Sequence, residues 1–269
     1  MKTTYVGPGL IGGLVAGLAA FAYARVFTEP LVAQAIDFES DRSEVQAHMT
    51  GGHDHEHEVF TRTIQENVGA GVGTVVFAIA MGGFFVVAFT LLRTALARQN
   101  RAGDPRVLGG VLALVMFVAI YLGPALIYPP NPPSVGDPDT IGERSGAYLT
   151  VVLVSVMVAG LGLATYLLVA ERIGGLYAGI VACVGYVAVL GVTAVMMPHF
   201  DEVPTPLEHD GHMVAAGFPA SVLAEFRIAS VGGQLVLWTV LAVVFAVVVD
   251  RMMRREAAPA ALPAEMSMS

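Results

Sequence analysis

Ionisable side chains are scarce in this chain, and lysine is almost absent. Only 13% of the 269 residues are charged, about half the share found in an ordinary soluble domain. Of the fourteen basic residues, Lys2 is the one lysine and the rest are arginine. A single cysteine, Cys183, excludes an intrachain disulfide and says nothing of redox compartment. No Asp, Glu, Lys, Arg or His lies near the middle of any long apolar run, so the usual marks of an ion or proton path through hydrocarbon are missing. The glycine patches Gly69-Ala70-Gly71-Val72-Gly73 and Gly82-Gly83 follow no strand, which excludes a phosphate-binding loop. They read instead as surfaces for close helix contact. No nucleophile, histidine and acid stand at a spacing that suggests catalysis, and no basic patch interleaved with aromatics suggests nucleic acid. A non-enzymatic protein is expected.

What is present is apolar length. At 55% apolar residues the chain contains six runs long enough to cross about 30 Å of hydrocarbon at 1.5 Å per residue. They lie near 7–27, 66–92, 107–127, 147–170, 174–197 and 228–249. The expected fold is an all-α integral membrane protein, a bundle of about six transmembrane helices within one domain, 1–255, followed by a flexible cytoplasmic tail, 256–269. Ala22-Tyr23-Ala24 ends the first run with the small-residue spacing of a signal-peptide cleavage site, and cleavage there would leave five spans. The polar candidates at depth are Thr74, Ser155, Thr165, Thr193 and Gln234, most of them expected to bond a neighbouring helix or backbone.

Orientation follows from the basic residues beside the spans. Lys2, Arg93, Arg98, Arg101, Arg106, Arg172, Arg251, Arg254 and Arg255 fall on one side, which is expected to be the cytoplasm. Both termini then lie in the cytoplasm, and the protein sits in the plasma membrane as a multi-pass chain. All seven histidines and seventeen of the twenty-two acidic residues fall on the other side. An exterior crowded with carboxylates concentrates cations.

Three exterior segments stand out. Residues 28–65 are acidic and hold His53-Asp54-His55-Glu56-His57-Glu58. In an extended chain alternate residues point the same way, so His53, His55 and His57 present three imidazoles together while Asp54 and Glu56 face oppositely. Imidazole and carboxylate suit borderline divalent metals such as Co²⁺, Ni²⁺ and Zn²⁺. Residues 128–146 carry Tyr128-Pro129-Pro130-Asn131-Pro132-Pro133, a stiff path that forbids helix. Residues 198–226 begin Pro198-His199 and continue to His209-Asp210-Gly211-His212. His209 and His212 share a face if helical and stay within chelating reach if they flank a turn. The candidate metal ligands are therefore His53, His55, His57, His199, His209, His212, Asp54 and Glu56. Arg144, Glu225 and Arg227 mark the membrane edge, either as simple charge pairs or as the rim of a vestibule.

The order of these features resembles one family. A Gly/Ala-rich first span running into Glu29-Pro30-Leu31, the His-Asp-His-Glu-His stretch, Asn67-Val68-Gly69-Ala70-Gly71 opening the second span, Gly123-Pro124-Ala125-Leu126 before the proline run, and Pro198-His199 ending a late span are together similar to the CbtA family of predicted cobalt transporter subunits. The likeness runs over roughly residues 7–250. It implies a bacterial or archaeal membrane protein tied to cobalt supply for cobalamin synthesis, often beside CbtB, a small one-span partner bearing histidine. It also implies five spans where six apolar runs are counted.

Two functions remain open at this point. In one, the chain is the membrane subunit of a cobalt transporter whose exterior histidine and carboxylate loops capture the ion and pass it across the bilayer, with no organic cofactor. In the other it is a metal-binding accessory or sensor that never conducts, a reading favoured by the lack of buried ionisable groups.

Overall fold

A computed structural model describes residues 5–50, 69–101 and 103–257. Its helices are α1 (Val6–Tyr23), α2 (Glu29–Thr50), α3 (Ala70–Arg98), α4 (Pro105–Phe117), α5 (Gly123–Ile127), α6 (Ile141–Ile173), α7 (Gly175–Met196) and α8 (Ala220–Ala257). A π-helical turn, Ala24–Thr28, joins α1 to α2 without a break, and a second, Val118–Leu122, joins α4 to α5. Six continuous helical stretches are long and apolar enough to cross a membrane. The shortest, α7, has 22 residues, about 33 Å at 1.5 Å per residue. The chain is thus an all-α membrane bundle. Residues 29–50, expected as part of an exterior loop, are instead helical. Acidic side chains carry no bar to helix, and α2 inherits its nucleus from the span before it.

Small residues place α1 at the centre. Gly9, Gly13 and Gly17 recur every fourth position and therefore share one face. A Cβ on Gly13 would stand 2.6 Å from the Ala78 carbonyl oxygen of α3, and one on Gly12 would stand 3.2 Å from the Leu241 carbonyl oxygen of α8. Only a bare backbone permits that approach, which compensates in packing for the missing hydrophobic drive between helices in lipid. Below this seam the core is aromatic: Phe85, Phe89 and Phe245 are fully buried, and their rings meet edge to face at 4.9 Å between Phe245 and each of the other two.

The end bearing the arginines closes with short polar ties. Asp104 caps α4, accepting from the Arg106 backbone N–H at 2.9 Å, and Pro105 follows at the first helical position. The hydrogen bonds from the Arg106 guanidinium and backbone hold the Asp104 carboxyl at about 2, below the usual carboxylate range. The same guanidinium reaches Asp250 at 2.6 Å and so joins α4 to α8.

The α6–α7 hairpin turns on one residue, Gly174, at φ 84°, a conformation that glycine adopts without strain. It stands apart from the centre with most of its apolar side chains exposed, among them Leu153, Leu161, Val184 and Val195. Within the span a buried polar knot holds it. Ser155 donates to the Ala119 carbonyl at 2.6 Å and shares a hydrogen bond of 2.7 Å with the Tyr186 hydroxyl. Ala119 belongs to the second π turn, whose backbone lies within reach of the neighbouring helix.

Candidate functional site

Beyond the spans, the histidine end is covered by a cap built from three segments. α2 runs outward and buries Leu31 and Ala35 against Val135 of the proline segment, against Phe218 just before α8 and against Val222 in its first turn. Phe38 meets Phe218 edge to face at 5.0 Å. Ser134, at φ 71°, donates to the Ala35 carbonyl at 2.7 Å, and Arg42 donates to the Thr205 carbonyl at 2.8 Å. Glu202 ties the remaining pieces. It accepts from the Thr140 hydroxyl at 2.6 Å and the Asp137 backbone N–H at 2.7 Å. Arg144 brings its Nε within 3.1 Å of the same carboxylate, paired by charge although not aligned as a hydrogen bond. The Thr140 hydroxyl first, then the Asp137 amide and the Arg144 charge, hold the Glu202 carboxyl below the usual carboxylate range.

The predicted ligands are distributed as follows. His53, Asp54, His55, Glu56 and His57 lie outside the described residues. His199 is exposed just past α7, where the carbonyl of Pro198 accepts from the Tyr128 hydroxyl at 2.6 Å and Tyr128 packs on Phe200 at 5.8 Å. His209 and His212 flank a turn, the second of the two expected arrangements, and not a helix. They close an antiparallel hairpin of β1 (Leu207–His209) and β2 (His212–Ala215), in which the two histidines are directly paired. Asp210 and Gly211 both have positive φ, 50° and 79°, as a type I′ turn requires. Directly paired residues project from the same face, so the hairpin presents two exposed imidazoles side by side, with the Asp210 carboxylate 3.7 Å from His209 Nε2. Among the described residues, no three His, Cys, Asp or Glu side chains gather as a metal site. His48, near the end of α2, lies 3.8 Å from Glu44 one turn earlier.

A cleft of about 500 Å³ lies beneath the cap, between α1, α3, α8 and the proline segment. Most of its wall is apolar, and its polar side chains are Thr28, Thr74, Tyr121, Asn131, Ser230 and Gln234. Ala24 and Thr28 come from the first π turn and Tyr121 from the second, so both irregular turns border one cleft. π turns widen the helix and recur at functional positions. The Tyr121 hydroxyl is enclosed and has no hydrogen-bond partner among the described residues. Arg227 donates to the Asn131 side-chain oxygen at 2.9 Å at the outer edge. Thr74 and Gln234 stand out in sequence as polar residues at depth; Tyr121, Asn131 and Ser230 do not, and only the approach of their helices brings them in. The paired glycines before Gln234 were a usable signal, since Gly232 leaves room for the Tyr23 hydroxyl.

Six helices long and apolar enough to cross a membrane, with every described histidine gathered at the capped end, define a multi-pass membrane protein. The family model for "Probable cobalt transporter subunit (CbtA)" matches residues 2–250, and the chain belongs to that family. Transporter subunits as a class are not enzymes. No protein of curated function and no solved structure matches the chain.

Proposed function

We propose that this chain captures Co²⁺ with histidines and carboxylates outside the plasma membrane and passes it inward, with both termini in the cytoplasm. The observation that supports this reading is the division of chemistry between the two ends. His48, His199, His209 and His212 all stand at the capped end, whereas Arg93, Arg98, Arg106, Arg251 and Arg254 lie at the other. Basic residues are retained on the cytoplasmic side, and a cation-gathering surface is useful only where the cation arrives. The His209 and His212 pair supplies two nitrogen ligands, and His53, His55 and His57 with Asp54 and Glu56 supply a second, denser set. His199 at the mouth of the bundle is the next acceptor. Ni²⁺ and Zn²⁺ suit the same ligands, no organic cofactor or catalysis is involved, and a small one-span histidine-bearing subunit of the CbtB kind is the fitting partner. The competing function, a metal-binding accessory that never conducts, draws on the lack of ionisable side chains at the span centres.

Uptake of radiolabelled Co²⁺ into proteoliposomes separates the roles. Replacing His53, His55 and His57 together by Ala should weaken capture at low metal and leave the rate at high metal largely intact. His199→Ala should lower the maximal rate at every concentration. Normal uptake by His199→Ala at both low and high metal removes His199 from the route.

A further inference from the structure

The arginine end carries more positive charge than its carboxylates absorb. Asp104 and Asp250 are engaged by Arg106 and Arg254. Glu171 meets Arg101 at 3.6 Å with both side chains partly in water, a pairing that contributes little. Arg93, half-buried in the last turns of α3, pairs with no carboxylate among the described residues. Its guanidinium donates to the Tyr5 hydroxyl at 2.8 Å and lies over the same ring, 5.4 Å from the centroid. Neither contact supplies a negative charge, and a half-buried cation in a span calls for one. We propose that Arg93 and Arg101 together hold the phosphate of an anionic phospholipid in the small cavity between them. The site stands or falls apart from the transport reading.

Local sequence builds this cavity. Asn100 takes φ 54° and ends α3 in a Schellman turn: its amide returns to the Ala97 carbonyl at 3.1 Å and the Arg101 amide to the Leu96 carbonyl at 2.9 Å. That reversal sets Arg101 beside the last turns of α3, where Arg93 stands. The two arginines, with Leu96, Ala97, Gly103 and Leu108, wall a cavity of about 50 Å³. This is roughly the room of two waters at ~30 Å³ each, enough for the free oxygens of one phosphodiester and too little for an acyl chain. Two guanidinium groups meet such oxygens with forked donors and opposite charge. Ala97 and Gly103 are exposed, so the cavity lies at the surface. Beside it Val107, Val111 and Leu114 continue along α4 as an exposed apolar stripe, against which the chains of a lipid held by its head would lie. The stripe favours a lipid over free phosphate. Anionic headgroups are the counter-ion that a bilayer itself supplies to basic pockets between spans.

Native mass spectrometry of the purified full chain counts the lipids that each molecule retains. Titrated with phosphatidylglycerol from mixed micelles, the chain should keep one lipid, with half-saturation about tenfold below that of phosphatidylcholine, whose choline charge opposes the arginines. Arg101→Gln should raise the half-saturating concentration of phosphatidylglycerol about tenfold, and Glu171→Gln, which frees Arg101, should lower it. Arg93→Gln should weaken retention, whereas Tyr5→Phe, which removes the hydroxyl that Arg93 holds, should leave it intact. Arg255→Gln removes one charge from the same end and should change nothing. Wild-type retention by Arg101→Gln overturns the proposal. Equal losses in the Arg93, Arg101 and Arg255 variants, all of normal size-exclusion profile, make binding a diffuse property of the basic end and overturn it too. If Tyr5→Phe weakens retention as much as Arg93→Gln, Arg93 serves only to place Tyr5 and the site falls. Inorganic phosphate should displace the lipid only weakly. Displacement by phosphate as readily as by phosphatidylglycerol makes the cavity a soluble-phosphate site and overturns the lipid assignment.

Discussion

The centre of the bundle and the α6–α7 hairpin are equally apolar in sequence, but they are held in opposite ways. α1, α3, α4 and α8 meet through glycine seams and buried rings, so their contacts are many, short and dependent on shape. α6 and α7 keep most of their apolar surface toward lipid and, within the span, are joined to the rest by polar contacts through Ser155, Tyr186 and the backbone of a π turn. In a bilayer, burying apolar surface gains little over leaving it in lipid. Backbone proximity and buried hydrogen bonds therefore decide which helices associate. The cleft lies among the tightly packed helices, where a shape can be kept, and away from the loosely held hairpin.

Glycine substitutions should divide the two regions most sharply. Gly13→Leu drives a side chain into the Ala78 carbonyl and is expected to abolish accumulation of folded protein, whereas Gly185→Leu in α7, with nothing within 4 Å of its Cβ position, should accumulate as the wild type does. Equal loss in both, seen by size-exclusion profile after expression, would show that the hairpin is as closely packed as the centre. Next in size is Ser155→Ala. It removes the donor to Ala119 and is expected to cost about 1–2 kcal/mol, the scale of a hydrogen bond between membrane helices. A reversible unfolding titration in mixed micelles measures it, and Thr193→Val, whose hydroxyl only bonds its own helix at Val189, is the control expected to stay near zero.

The cap responds to pH through a carboxylate. Because the folded Glu202 carboxyl titrates below the ordinary glutamate value near 4.5, its contribution is complete above that value and is lost as pH falls through the lower folded one. Cap protection against proteolysis should thus be flat from neutral pH to about 4.5 and decline below it, and Glu202→Gln should remove the decline along with part of the protection. Metal capture should fail earlier. An imidazole must be neutral to bind a metal ion, so binding by the histidine ligands weakens as acid protonates them. Capture unchanged between pH 7.5 and about 5 would leave carboxylates as the only ligands. The smallest structural disturbance comes from single cysteines: in a Cys183→Ala background, Ser40→Cys and Thr205→Cys should react with an impermeant thiol reagent on intact cells and Gln99→Cys should not. Reversal of that pattern inverts the orientation.

The six spans were legible because apolar length is a one-dimensional signal, and the glycine repeats of α1 and Gly82 announced helix contact without saying which partner. Ser155 and Thr193 behave as expected of isolated polar residues in a span, bonding a neighbouring backbone and their own helix respectively. Residues 29–50 were read by their charge and missed as helix, since composition there reports solvent exposure and not backbone conformation. Asp210-Gly211 between alternating residues was a hairpin signal overshadowed by the histidines beside it. The cleft was not legible. Its wall comes from five separate stretches, and two of them face it because π turns rotate the helix by part of a turn, a feature without a marker in this sequence.

Whether the chain conducts is settled by counting ions on both sides of one membrane. Purified protein in proteoliposomes, given radiolabelled Co²⁺ outside at pH 7.5, should deliver metal to the lumen in an amount that grows with time and survives an external chelator wash. Retention of a fixed amount per chain, all of it removed by the wash, would contradict transport and leave a metal-binding membrane protein that holds its ion outside.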